Sequence, residues 1–224
     1  MPGSVEPLAD SQGTPAVRGF LHRPAEPSGD ALVLTHGAGS DCSAPLLLAL
    51  AEALTEMRWM VLRCDLPFRQ SRPQGPPRGS GAEDRAGLRR AVQVLRGLAG
   101  GRVFLGGQSY GGRQASMLAA EEPALANGLL LLSYPLHPPG KPDQLRTKHL
   151  PKIQAPALLV SGSADPFGSP AELEAALRLI PAPVSLLLIE GAGHDLGFGR
   201  QVRAGMKDVP QRIVRAFRER FAGG

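Results

Sequence analysis

GGQSYGGR, residues 106–113, follows the apolar run RVFL (102–105) and leads into QASMLAAEE (114–122). Ser109 stands two residues from Gly107 and two from Gly111, the spacing G-x-S-x-G, at a strand-to-helix junction. With 28 glycines in 224 residues, that spacing alone carries little weight. The junction gives it more: a serine nucleophile on so sharp a turn takes a strained backbone conformation, and its flanking positions have no room for a Cβ. The plainer alternative is a glycine-rich turn, including one that holds phosphate at a helix N-terminus. The G-x-x-x-x-G-K-[ST] pattern of such a loop is absent.

The rest of the chain repeats the alternation. Short apolar runs predict strands at 17–22, 31–36, 60–66, 102–107, 128–134, 157–162 and 184–190. Several are apolar on both faces, as strands of a covered parallel sheet are. Helical spacing of apolar residues predicts helices over 44–57, 83–98, 109–121, 170–179 and 210–221, the fourth opened by Ser169 and Pro170. Strand, helix, strand in succession predicts one doubly wound α/β domain over 1–224, with 1–15 as a flexible N-terminal segment. Two irregular stretches, FRQSRPQGPPRGSG (68–81) and YPLHPPGKPDQL (134–145), leave the carboxyl ends of strands, where open α/β sheets build ligand sites.

Composition narrows the function classes. The net charge is +5, and arginine outnumbers lysine about five to one. Arg69, Arg72 and Arg78 cluster without interleaved aromatics, so no nucleic-acid partner is expected. No apolar run approaches the ~20 residues of a membrane span, and the N-terminus lacks the basic start and apolar core of a signal peptide. Cys42 and Cys64 lie in no metal-ligand spacing, which predicts free thiols, a cytoplasmic location and no metal or other cofactor. Nothing in the sequence fixes the oligomeric state.

A serine hydroxyl needs a base. Of five histidines, His194 in EGAGHDLG follows the last predicted strand in a glycine-rich turn. A carboxylate after the preceding strand completes the order Ser, Asp, His: Asp165 in VSGSADPFG. It would accept the imidazole N–H and stabilise the imidazolium. Its plainer role is an Asx turn before Pro166, and Asp195, beside His194, is the competing carboxylate. An oxyanion needs two backbone donors. The N–H of Tyr110 is one, and Ala38 in HGAGSD is the other, with Gly39 the next choice. His36 then shapes that loop rather than acting as base. Gly39, Arg113 and His137 are further candidates for substrate contact.

The pieces LVLTHGAG, FLGGQSYGGR, LLSYPLHPPGKPDQLR, LLVSGSADPFG and GAGHDLGF, in this order, resemble the α/β-hydrolase superfamily. Within it the chain is most similar to the small branch of testis-expressed and NSL-complex-subunit hydrolase-like proteins and their bacterial relatives, with SYPLHPPGKP the most branch-specific piece. The elbow reads Q-S-Y where bacterial relatives carry K-S-M, a difference expected to bear on pocket lining. The resemblance implies an α/β-hydrolase fold, a mostly parallel doubly wound sheet with helices on both faces, and Ser109, Asp165 and His194 as triad. About 22 residues separate the strand at 128–134 from the next, too few for a large cap domain. The expected function is a carboxylesterase-like serine hydrolase cleaving a small-molecule ester or lactone. Basic side chains (Arg113, Lys141, Arg146 and the 68–81 arginines) have two readings: solvated surface charges, the plainer one, or groups that favour substrates bearing a carboxylate. The alternatives are a non-catalytic binding or scaffold protein on the same fold, and thioester or peptide hydrolysis by the same triad.

Overall fold

A computed structural model describes residues 3–199 and 201–221. Eight strands form one sheet: β1 (Ser4–Asp10), β2 (Val17–Arg23), β3 (Ala31–Thr35), β4 (Met60–Cys64), β5 (Val103–Gln108), β6 (Leu129–Leu132), β7 (Ala157–Gly162) and β8 (Val184–Ile189). The spatial order is β1-β2-β4-β3-β5-β6-β7-β8, antiparallel through β2–β4 and parallel from there on. Among the described residues, six α-helices accompany the strands: α1 (Pro45–Glu56), α2 (Pro67–Ser71), α3 (Ala82–Leu98), α4 (Tyr110–Glu121), α5 (Pro170–Leu177) and α6 (Val209–Phe221). This is the α/β-hydrolase fold without a large cap.

Apolar periodicity explains the layering. In α3, Leu88, Ala91, Val92 and Leu95 recur at three- and four-residue intervals and are buried together with residues of α4 and α5 against one face of the sheet. On the other face, α1 and α6 cover Leu32, Leu34, Leu130 and Val160. Trp59, Phe104, Phe217 and Phe221 meet there, with ring centroids 4.7–5.4 Å apart. Residues of β3, β5, β6 and β7 enter both clusters, so these strands alternate sides between two apolar layers.

The N-terminal segment corrects the expectation of flexibility over 1–15. Ser4–Asp10 pairs antiparallel with β2 in the register Ser4↔Arg23 to Asp10↔Val17. Its side chains are mostly exposed, and Pro7 interrupts the run, so it carries no apolar pattern. Position at the sheet edge tolerates the proline, and ion pairs hold the strand: Arg23 Nε to Glu6 Oε1 at 2.6 Å and Arg90 Nη2 to Asp10 Oδ1 at 2.9 Å. Residues 1–2 lie outside the described residues. The segment expected as a loop from 68 also begins as α2, opened by Pro67 in the first turn.

Candidate active site

The chain reverses its winding between β3 and β5, which are neighbours although β4 lies between them in sequence. A crevice opens there at the carboxyl ends of the strands. Ser109 follows β5 with φ 52° and ψ −116°, a conformation L-residues seldom adopt. Its N–H donates to Leu132 O (2.8 Å) and its carbonyl accepts from Arg113 N (2.9 Å), which pins the turn at both ends. The glycines are sterically required. A Cβ on Gly111 would lie 2.5 Å from His36 O, and one on Gly107 would lie 2.7 Å from Gly111 C.

Asp165 lies three residues beyond β7, and His194 five beyond β8. The two loops touch: a Cβ on Gly162 would lie 2.2 Å from Ala192 O, so only glycine lets them approach. His194 Nδ1 is 2.8 Å from Asp165 Oδ2 and 3.0 Å from Oδ1. A carboxylate only accepts, so Nδ1 carries the proton and Nε2 accepts from the Ser109 hydroxyl at 2.8 Å. The Asp165 side chain is 1 % exposed. Its Oδ1 also accepts from Phe167 N (2.9 Å), so the Asx turn and the histidine contact are made by the same residue. The imidazole stacks on Phe167, with centroids 4.1 Å apart, and Phe167 O accepts from His137 N at 3.1 Å. Asp195 turns elsewhere: its Oδ1 caps Gly197 N at 2.9 Å.

Ala38 and Gly39 border Ser109 in a cleft of about 970 Å³, shared with Gln108, Phe167, His194 and Phe198. Among the described residues, neither the Ala38 nor the Tyr110 amide donates a hydrogen bond within the chain. His36 shapes the loop that carries Ala38. Its Nδ1–H donates to Gly37 O (2.8 Å), and its Nε2 accepts from Leu66 N (3.1 Å). Burial holds its pKa below the ordinary histidine value, although Asp65 Oδ1 lies 3.6 Å away. Both cysteines are free and buried, and burial pushes the thiol of Cys42 up to about 12 and that of Cys64 higher still. Neither supplies a thiolate near neutrality.

Arg113 and His137 do not line the cleft. Arg113 lies in the first turn of α4, where its carbonyl accepts from Ser116 Oγ. His137 is buried, with Nδ1 donating to Pro138 O at 2.8 Å. Lys141, Arg146 and the arginines of 68–81 are also absent from the lining. Tyr110 adds only its backbone, because its hydroxyl donates to Asp84 Oδ2 (2.6 Å) and its ring packs edge-on against Phe68. Of the Q-S-Y difference, Gln108 therefore bears on pocket lining, as expected, while Tyr110 bears on the packing of α4 against α2 and α3. Arg203 lines the cleft and was not anticipated, nor was Phe167. Both come from irregular loops whose sequence has no period; the only signal for Phe167 was its place two residues after the candidate aspartate.

Fold and site together define an α/β hydrolase, and the chain belongs to that family: the model described as "Alpha/beta hydrolase domain" matches residues 28–221. Among solved structures, it is similar to dienelactone hydrolase from Anabaena variabilis (23 % identity, TM-score 0.78, 99 % of this chain and 98 % of that one). It is also similar to an α/β serine hydrolase without a lid from Xanthomonas campestris (19 %, TM-score 0.70, 97 % and 95 %). A third is Est1E from Butyrivibrio proteoclasticus (16 %, TM-score 0.74, 96 % and 99 %). At these identities the likeness is one of fold. Among the described residues, no helix is long and apolar enough to cross a membrane.

Proposed function

We propose that the protein is a serine hydrolase that cleaves small esters or lactones through an acyl-enzyme on Ser109. The observation that carries this is the continuous relay from Ser109 Oγ through His194 to Asp165, with both contacts at 2.8 Å on a strained elbow. Ser109 Oγ attacks the acyl carbon while His194 Nε2 takes its proton, and Asp165 stabilises the imidazolium. The N–H groups of Tyr110 and Ala38 hold the oxyanion. Collapse breaks the C–O bond, and His194 returns the proton to the leaving alcohol. Water, deprotonated by His194 in turn, then hydrolyses the acyl-enzyme. A cleft walled by Pro45, Phe167 and Phe198, with no cap above it, suits a short acyl chain or a small lactone. Arg203 lines the cleft and favours substrates bearing a carboxylate.

The motif SYPLHPPGKP supports placing the chain in the testis-expressed and NSL-complex-subunit-like branch. The two buried free thiols fit a reducing, cytoplasmic setting. The working partner is a small ester, with no nucleic acid, membrane or cofactor required. A fluorophosphonate probe and a short p-nitrophenyl ester, applied to wild type and Ser109→Ala, test the proposal. Labelling and turnover by the wild type alone are expected. An unlabelled wild type, or labelling that survives Ser109→Ala, would overturn it.

A further inference from the structure

One arginine of the 68–81 segment is buried, and it faces the loop that carries Ala38. Arg69, on α2, is 8 % exposed. Its Nε donates to Ser40 O (2.9 Å), and Nη2 donates to Ala38 O (2.7 Å) and Gly75 O (3.3 Å). Nη1 donates to Pro73 O (2.8 Å) and Arg72 O (3.3 Å). A guanidinium has five N–H bonds, and here each meets a backbone carbonyl. Arg69 therefore has no donor left for a substrate carboxylate. What it does instead is tie two loops together, residues 38–40 and residues 72–75.

The tie bears on the direction of one amide. The Gly37–Ala38 peptide plane, which contains the Ala38 N–H, is held at its carbonyl by His36 Nδ1 (2.8 Å) and Ser40 N (3.2 Å). The next plane, Ala38–Gly39, is held at its carbonyl by Arg69 Nη2. Gly39 is exposed, and a Cβ built there would meet nothing within 4 Å, so packing does not hold the loop at that point. With both planes fixed, the Ala38 N–H is held in one direction at the edge of the cleft that Ser109 lines. Only a planar fork reaches carbonyls on both loops at once.

We propose that Arg69 is a positioning residue for the oxyanion donor Ala38, preorganising its amide by clamping loop 38–40 to the turn at 72–75. This rests on the serine-hydrolase function proposed above. Preorganised donors favour the transition state over the bound substrate, so loss of the clamp lowers kcat and leaves KM nearly unchanged.

Arg69→Lys and Arg69→Met in the full chain test this, with rates expressed per site titrated by a fluorophosphonate so that any unfolded fraction is divided out. Arg69→Lys keeps the buried charge and the stem but not the fork, and decides the matter if Arg69→Met does not fold. Expected for each is a fall in kcat on the order of 10- to 100-fold with KM within about twofold. Affinity for a phenylboronic acid, which forms a tetrahedral adduct on serine, should fall by a similar factor, and affinity for p-nitrophenol should not. Unchanged kcat per titrated site, or lost kcat with boronic-acid affinity intact, would overturn the clamp. If the wild type is neither labelled nor active, the serine-hydrolase proposal fails first and takes the clamp with it.

Discussion

Replacing Ser109 by glycine should make the protein more stable than replacing it by alanine. At φ 52° and ψ −116° the Ser109 backbone lies outside the regions open to residues with a Cβ. Such a conformation costs about 1–3 kcal/mol in a non-glycine residue. Glycine removes that cost but adds about 0.4–1 kcal/mol of unfolded-state entropy relative to alanine. Both variants lose the hydroxyl and its bond to His194, and both keep the backbone bonds to Leu132 O and Arg113 N. Their difference is therefore the elbow strain less that entropy, about 1–2 kcal/mol in favour of glycine. In a domain of this length that corresponds to a Tm difference of about 2–8 °C. Urea unfolding of the two variants followed by far-UV circular dichroism, with equal m-values as a check, gives the number. An alanine variant as stable as the glycine one would refute the claim that the elbow stores strain.

Asp165→Asn should lower kcat on a short ester by about 10⁴-fold, because an amide can donate to His194 and favour the wrong tautomer, while Asp195→Asn stays near wild type; the reverse ranking would reassign the acid. His22 accepts from Arg63 Nε at 2.8 Å, and burial, aided by that charge, lowers its pKa from 6.5 to about 4. The unfolded chain binds the proton first, so its share of stability is intact above about pH 6.5 and is lost as the pH falls toward 4, by about 3 kcal/mol. A pH series of denaturant midpoints should therefore slope less between pH 6.5 and 4 in His22→Gln than in the wild type. Arg203→Ala should raise KM several-fold for a short ester bearing a carboxylate and leave its neutral isostere unchanged; equal effects on both would remove Arg203 from substrate choice.

The elements easiest to read from sequence were those whose residues answer to one local rule. β7 was expected at 157–162 and is found there, because ALLVSG is uniformly buried between two layers. α5 opens where Ser169 and Pro170 said it would, with Ser169 accepting from Glu172 N. Ser109, Asp165 and His194 could be picked out because each follows a strand in a fixed order. β1 was hidden because an exposed edge strand needs no apolar pattern, and its pairing with β2 depends on residues 7 to 19 positions away. The roles of the basic residues stayed open for a related reason: charge composition does not say which way a side chain points. Arg69 turns inward to carbonyls, while Arg203, in a loop without pattern, reaches the cleft.

The aromatic cluster between α1, α6 and the sheet has a practical consequence. Trp59 is the only tryptophan in the chain, and its neighbours Phe104 and Phe217 belong to β5 and α6. It is buried on one face of the sheet and does not line the cleft. Its fluorescence should therefore gauge whether the cluster between α6 and the sheet is intact: a red-shifted emission is expected when Trp59 becomes exposed. Addition of a short ester should leave that emission where it was, so one optical signal should separate loss of fold from occupancy of the site.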